Sequence, residues 1–312
     1  MKVGIVGAGA VGTATMFAMA LRGSAAEVIL VNRDRDRARG AVADLQYGAV
    51  VAPPVTLRAG DYDDLRGAAM VVVTVGANEK TGGATNRSDP AGRLRLLQGN
   101  SAIYREVVPR IVATAPEAAL LVVTDPPDPL ADVARQIAKH DAVLSSGTLL
   151  DSLRFRFQVG RRIGVDPRSI EADVIGEHGT SQVYLWSTAR VGGTPLIPSL
   201  LPQDVDADAF RRDVENAVRY ANIDIIEGTG ASRLGIGIVA ARIVEMVIRD
   251  EQAIVPIGSY QRDFGVTLSL PSQLGRNGVA RVLMPELAPD ERLALDHSAD
   301  ALRRALSSVA AA

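Results

Sequence analysis

Across the first half of the chain, short unbroken apolar runs alternate with stretches of helical periodicity. Lys2–Val6, Glu27–Val31, Met70–Val75, Leu120–Thr124 and Ala142–Ser145 are rich in Val, Ile and Leu and are bounded by Gly, Pro, Asn or Asp. Runs without polar alternation fit strands buried on both faces of a parallel sheet. Between them, Val11–Leu21, Arg35–Leu45, Pro90–Val108 and Leu130–Lys139 read as helices. Asp89-Pro90 offers an N-cap followed by a proline at the first helical position. Strands and helices alternating in this way predict an α/β fold, a Rossmann-type doubly wound parallel sheet over residues 1–146.

The pattern changes over residues 147–312. Helical stretches (Ser152–Gly160, Asp206–Glu227, Gly235–Arg249, Pro289–Ser308) flank strand-like runs at Ile170–Ile175, Val183–Val191, Ala253–Tyr260 and Thr267–Leu270. Asn277-Gly278 is a turn signal between two short segments and predicts a hairpin. This half reads as a mixed α+β domain with antiparallel strands.

Composition narrows the classes. Apolar residues make up 47% and charged residues 22%, ordinary for a globular protein. A net charge of −2, without long like-charge runs, gives no footprint for nucleic acid. There is no cysteine, so disulfides, thiolate metal sites and a cysteine nucleophile are excluded, and no metal is expected. Glycines 4, 7, 9 and 12 interrupt the apolar N-terminus, and nothing approaches the roughly 18 unbroken apolar residues of a membrane span. A cytoplasmic protein with no membrane partner is the expectation.

In "VGIVGAGAVGTA", Gly7, Gly9 and Gly12 follow a strand and open a helix. The first allows a tight turn, the second lets a pyrophosphate approach the backbone, and the third permits close helix–strand packing. That context predicts a dinucleotide cofactor. Twenty residues on, where NAD sites usually carry an acidic residue for the ribose, the strand ends in Asn32 and Arg33. Asparagine removes a carboxylate that would repel a 2′-phosphate, and Arg33 can pair with one. The balance between NADP and NAD tips towards NADP. Alternatively, Arg33 belongs to a solvated helix start with Asp34 and Asp36.

One of the three histidines, His178, stands in "VIGEHGTS". By itself it is a proton carrier or a turn residue. Together, "GAGAVG", "DLQYG", "TVGANEK", "GTLLDSLRFRFQVG", "VIGEHGTS" and "GIGIVAARIVE" resemble the L-lactate/malate dehydrogenase family in order and spacing. The resemblance runs from Lys2 to about Leu306. It implies an NAD(P)-dependent oxidoreductase moving a hydride between a nicotinamide ring and a small 2-hydroxy/2-oxo acid. His178 is then the acid/base and Asp151 its partner, and Arg154, one helical turn from Asp151, is the fork for the substrate carboxylate. It also implies cofactor contacts from Gly7, Gly9, Ala10, Val11, Gly12, Asn32, Arg33, Gly76 and Asn100, and a homodimer or homotetramer. Residues 147–312 become the substrate and catalytic domain.

Several positions depart from the family pattern. Glu79 stands where glutamine or arginine usually reads the substrate's far end, and Lys80 follows. The lid after it is longer and contains Gly82 and Gly83. Counting back from Asn100 makes Arg93 the catalytic-loop arginine, with Arg87 as the rival. Asp125 replaces an asparagine before a proline whose peptide bond the resemblance implies is cis. Ser232 stands where threonine is common. Two acidic replacements predict a substrate that is neither lactate nor malate. An imine reductase of the same fold, or a non-catalytic nucleotide-binding regulator, are the alternatives.

Overall fold

The computed structural model describes residues 1–310, apart from 78–79, 81–84, 90–91 and 200–204. The first half runs β1 (Lys2–Val6), α1 (Ala10–Arg22), β2 (Glu27–Val31), α2 (Arg35–Ala49), β3 (Thr56–Gly60), β4 (Met70–Val73), α3 (Leu97–Thr114), β5 (Ala119–Val122), α4 (Pro127–Ala138) and β6 (Val143–Ser145). Six parallel strands lie in the order β6-β5-β4-β1-β2-β3, the doubly wound arrangement the alternation predicts. Strand residues alternate between two cores. Val3, Ile5, Leu30 and Leu121 meet Met16 and Val244 on one face. Ile29, Val31, Val71 and Leu120 meet Tyr104, Ile111 and Leu130 on the other.

The second half continues through α5 (Leu149–Ile163), β7 (Ile170–Glu171), β8 (Val174–Ile175), β9 (Val183–Tyr184), β10 (Arg190–Val191), β11 (Thr194–Pro195), α6 (Leu196–Ser199), α7 (Ala207–Arg219), α8 (Ala221–Thr229), α9 (Leu234–Ile248), β12 (Ile254–Gln261), β13 (Val266–Gly275), β14 (Gly278–Val282) and α10 (Pro289–Ala310). The antiparallel β12–β13–β14 meander does not stand apart. β12 pairs with β6, extending the first half's sheet to nine strands.

Other differences have local causes. β3 is absent from the sequence reading because it is a short edge strand, in which only Leu57 is fully buried and Thr56 and Arg58 face water. The runs 170–175 and 183–191 each break into two strands belonging to different small sheets. The helix expected over 206–227 divides at Tyr220. Instead of a helix from Pro90, a 3₁₀ turn (Gly92–Leu96) leads into α3, while Pro90 and Glycines 82 and 83 lie outside the described residues. The predicted hairpin forms, with Gly275 opposite Gly278. Among the described residues, no helix is long and apolar enough to cross a membrane.

The helices α1 and α9 approach closely at Gly237, where an added Cβ would lie 2.8 Å from the Ala14 carbonyl carbon and 2.9 Å from its oxygen. Alanine gains up to about 1 kcal/mol of helix propensity over glycine. Overpacking against backbone that cannot rotate away costs about 1–3 kcal/mol. The clash wins, and Gly237→Ala is expected to lower stability by about 1–2 kcal/mol in denaturant titration.

Candidate functional site

The parallel strands end at one edge, and the candidate residues gather there. β6 ends at Ser145, and Gly147, at φ +51°, turns the chain into α5. An added Cβ at Gly147 would fall 2.6 Å from the Gly258 nitrogen, so the turn is pressed against β12. Asp151 therefore enters in the first turn of α5, near its positive end. Its side chain is only 2% exposed. Arg154, one turn later, donates to Asp151 Oδ1 at 3.1 Å.

His178 follows β8 in an irregular segment. Its Nδ1 bonds Asp151 Oδ2. Its Nε2 lies 2.8 Å from Arg93 Nη1. A guanidinium only donates, so Nε2 accepts and the neutral ring carries its hydrogen on Nδ1, towards Asp151. Burial pushes the Asp151 carboxyl up, but His178, Arg154 and Arg93 outweigh it and hold it down to about 2. Asp125 closes the cluster, with one oxygen 3.8 Å from His178 Nε2 and the other 3.8 Å from Arg93 Nε. The Asp125–Pro126 peptide is cis.

Arg93 and Arg87 part company. Arg93 reaches His178, whereas Arg87 lies on the surface and bonds Glu227 and Asp224 of α8. The arginine beside the histidine is thus the one counted back from Asn100. Glu79 lies outside the described residues. Ser232 lines the cavity with Arg154 and His178.

The same cavity, of about 330 Å³, reaches along Gly76 to Gly9, Ala10 and Val11. Gly12 is required by close approach: a Cβ there would lie 1.9 Å from the Gly7 carbonyl oxygen. Gly9 has no heavy atom within 4 Å of its would-be Cβ, and it caps α1 without any side-chain hydrogen bond. Open backbone before an uncapped helix N-terminus fits a dinucleotide pyrophosphate. Asn32 accepts from the Ala8 N–H at 3.1 Å and donates to the Asp34 carbonyl at 3.0 Å. Arg33 is exposed. Neither lines the cavity; the exposed Arg37 does, beside Gly9. Asn100 is fully buried behind the wall, bonding the Ala77 N–H at 2.8 Å and the Asp125 carbonyl at 2.7 Å.

Two buried polar residues escaped the sequence reading. Asn222 of α8 lines the cavity at 6% exposure. Asp128 of α4 accepts the His178 main-chain N–H at 2.7 Å. A signal existed for the second: Asp128 and Asp132 stand four apart inside an otherwise apolar helix face. Among the described residues, no group of His, Asp or Glu has metal-holding geometry. A larger groove of about 420 Å³ beside α10 has none of this chemistry; its Arg105 and Arg303 bond the Val309 and Phe264 carbonyls.

Comparison with known proteins bears on the whole chain. The family model described as lactate/malate dehydrogenase, NAD binding domain, matches residues 1–145, and that family's alpha/beta C-terminal domain matches 148–312. An L-lactate dehydrogenase of Deinococcus radiodurans is 41% identical over 304 residues, 97% of each chain. One of Chloroherpeton thalassium is 39% identical, covering 99% of this chain and 100% of its own. A crystal structure of a lactate dehydrogenase enzyme from a Medee basin deep-sea metagenome library superposes with a TM-score of 0.90 at 32% identity, covering 99% of this chain and 98% of that one. These likenesses overturn the expectation of a substrate that is neither lactate nor malate. The physical reason is visible at Asp125, whose charge faces Arg93 and is offset there, so it does not dictate a cationic or hydroxylated substrate tail. The chain belongs to the lactate/malate dehydrogenase family, as a nicotinamide-dependent 2-hydroxyacid dehydrogenase with a Rossmann-type fold.

Proposed function

We propose that the protein interconverts L-lactate and pyruvate. The observation that carries this reading is the buried line Asp151–His178–Arg93 opening onto the cavity beside Arg154. It is supported by the curated relatives, which are named L-lactate dehydrogenases over nearly their full length. A nicotinamide cofactor held along Gly9, Ala10 and Gly76 would supply or accept the hydride at the substrate's second carbon. In reduction, protonated His178 gives its Nε2 hydrogen to the carbonyl oxygen, which becomes the hydroxyl, and returns to the neutral ring. Asp151 stays ionised and stabilises the imidazolium in between. Arg93 turns from Nε2 to the developing oxyanion, and Arg154 takes the substrate carboxylate through two parallel N–H bonds.

The reading extends to the cofactor's phosphate and to assembly. Asn32 brings no carboxylate to repel a 2′-phosphate, and Arg33 stands exposed beside it, so NADPH serves at least as well as NADH. The proposal of a homo-oligomer is supported by exposed Phe17 and Leu21 on α1, Leu153 and Phe157 on α5, and Leu234 and Ile238 on α9. A cytoplasmic setting accords with a chain that uses no cysteine.

Steady-state assays on pyruvate with both cofactors test the reading. Turnover with pyruvate is expected, and a preference for NADH of about tenfold or more, which is about 1.4 kcal/mol, would sink the NADPH claim. His178→Ala is expected to cut turnover by about 10²–10⁴-fold while cofactor binding, followed by fluorescence, holds. Asp151→Asn favours the wrong tautomer and is expected to lose comparably. Arg154→Lys cannot reproduce the fork and is expected to raise the KM for pyruvate.

The two lid arginines give a sharper contrast. Arg93→Gln is expected to lower kcat by about 10²-fold or more, the scale of losing a donor to a developing oxyanion. Arg87→Gln breaks only exposed ion pairs, to Asp224 and Glu227, so kcat is expected to stay within about fivefold of the parent. Equal losses in both variants would refute the assignment.

A further inference from the structure

The segment carrying His178 has no regular structure to hold it, yet its main chain is pinned at four points by buried groups. Gly176 exchanges backbone bonds of 2.9 Å with Ser269. The Glu177 N–H meets Ser298 Oγ at 2.8 Å, and the Ser181 N–H meets Glu177 Oε2 at 3.1 Å. At the histidine itself the partner is Asp128 Oδ2, at 2.7 Å. The other oxygen of Asp128 accepts from Ser145 Oγ at the end of β6. Asp128 is 1% exposed, and β12 closes over the pair: a Cβ on Gly258 would sit 2.7 Å from Asp128 Oδ1. The carboxyl therefore cannot swing away. It stands three residues beyond Asp125, on the same piece of chain that faces Nε2.

We propose that Asp128 is a positioning residue for proton transfer: it holds the His178 main chain to the segment carrying Asp125, and so fixes where Nε2 points. Asp151 sets the tautomer and plane of the ring, and Asp128 sets the origin of the side chain. The two carboxyls do different work. Burial pushes Asp128 up to about 7, with the bonds from Ser145 and the His178 N–H pulling the other way. What the position needs is therefore an acceptor of fixed direction more than a charge. Asparagine supplies one, its carbonyl taking the His178 N–H and its amide donating to Ser145 Oγ.

This inference rests on the proposed reaction for its kinetic arm, and a spectroscopic arm stands without it. With pyruvate, Asp128→Ala is expected to lower kcat by about 10- to 100-fold, since a misplacement near 1 Å can cost about 100-fold. Its affinity for NADH, read by fluorescence titration, is expected to stay within about twofold, and Asp128→Asn is expected to recover kcat to within about threefold of the parent. Proton NMR of the substrate-free protein follows the low-field Nδ1 hydrogen shared by His178 and Asp151. It is expected to be sharp in the parent and in Asp128→Asn, and lost to solvent exchange in Asp128→Ala. If Asp128→Ala does not fold, Ser145→Ala replaces it, with a kcat lowered by about 3- to 10-fold and faster exchange of the same hydrogen expected. An alanine variant with parental kcat and a sharp resonance overturns the proposal. So does an asparagine variant as impaired as alanine, because the charge and not the position would then be acting. If the parent itself does not turn over pyruvate, the reaction reading fails, and the resonance alone decides the role of Asp128.

Discussion

The molecule's central constraint is the burial of Asp151. An ion of this size loses several kcal/mol of solvation on leaving water, and a buried carboxylate persists only where partners compensate. Asp151 has them from three directions: the ring of His178, the guanidinium of Arg154 on its own helix, and Arg93 beyond the ring. These come from α5, from the segment after β8 and from the 3₁₀ turn before α3. Satisfying one carboxylate thus requires distant parts of the chain to meet at the strand ends. The sheet makes the meeting possible. With β12 paired to β6, the first-half strands and the β12–β13–β14 meander share one sheet, and the Gly176–Ser269 bonds tie the histidine segment to it.

The parts of the site legible in the sequence are those whose chemistry is local. Gly7, Gly9 and Gly12 report a turn, an open approach and a close helix contact within six residues, and each demand concerns backbone within reach of the glycine itself. Asp151 and Arg154 share a helix face, so one turn of α5 determines that they meet. The β-rich runs were legible for a similar reason, since burial on both faces leaves only apolar residues. What stayed hidden depends on neighbours far along the chain. Asp128 looks like a helix-start aspartate, and its function exists only because His178, 50 residues on, needs an acceptor. The pairing of β12 with β6 joins two halves that read as separate, and sequence periodicity does not encode which sheet a strand joins.

Asp125 shows the same limit in electrostatic form. Read alone, a carboxylate in place of an asparagine predicts a substrate bearing a donor or a positive charge. Within the fold, the Arg93 guanidinium lies 3.8 Å from one of its oxygens, and the charge is offset before any ligand arrives. A charged residue constrains a substrate only by what its surroundings leave uncompensated. Relatives alike over nearly the full chain and named for lactate are consistent with that physical picture.

The same balance holds among the side chains that contact the His178 ring and its partner Asp151. Arg93 and Arg154 bring two positive charges, Asp125 and Asp151 two negative ones, and the neutral ring of His178 none. The cluster is therefore balanced while it stands empty of substrate, which suits its low exposure. Under the proposed reaction, a 2-oxo acid at Arg154 would add one negative charge to a cluster that is balanced without it. An asparagine at position 125 would leave that cluster with one excess positive charge. The aspartate instead balances Arg93 from within the protein.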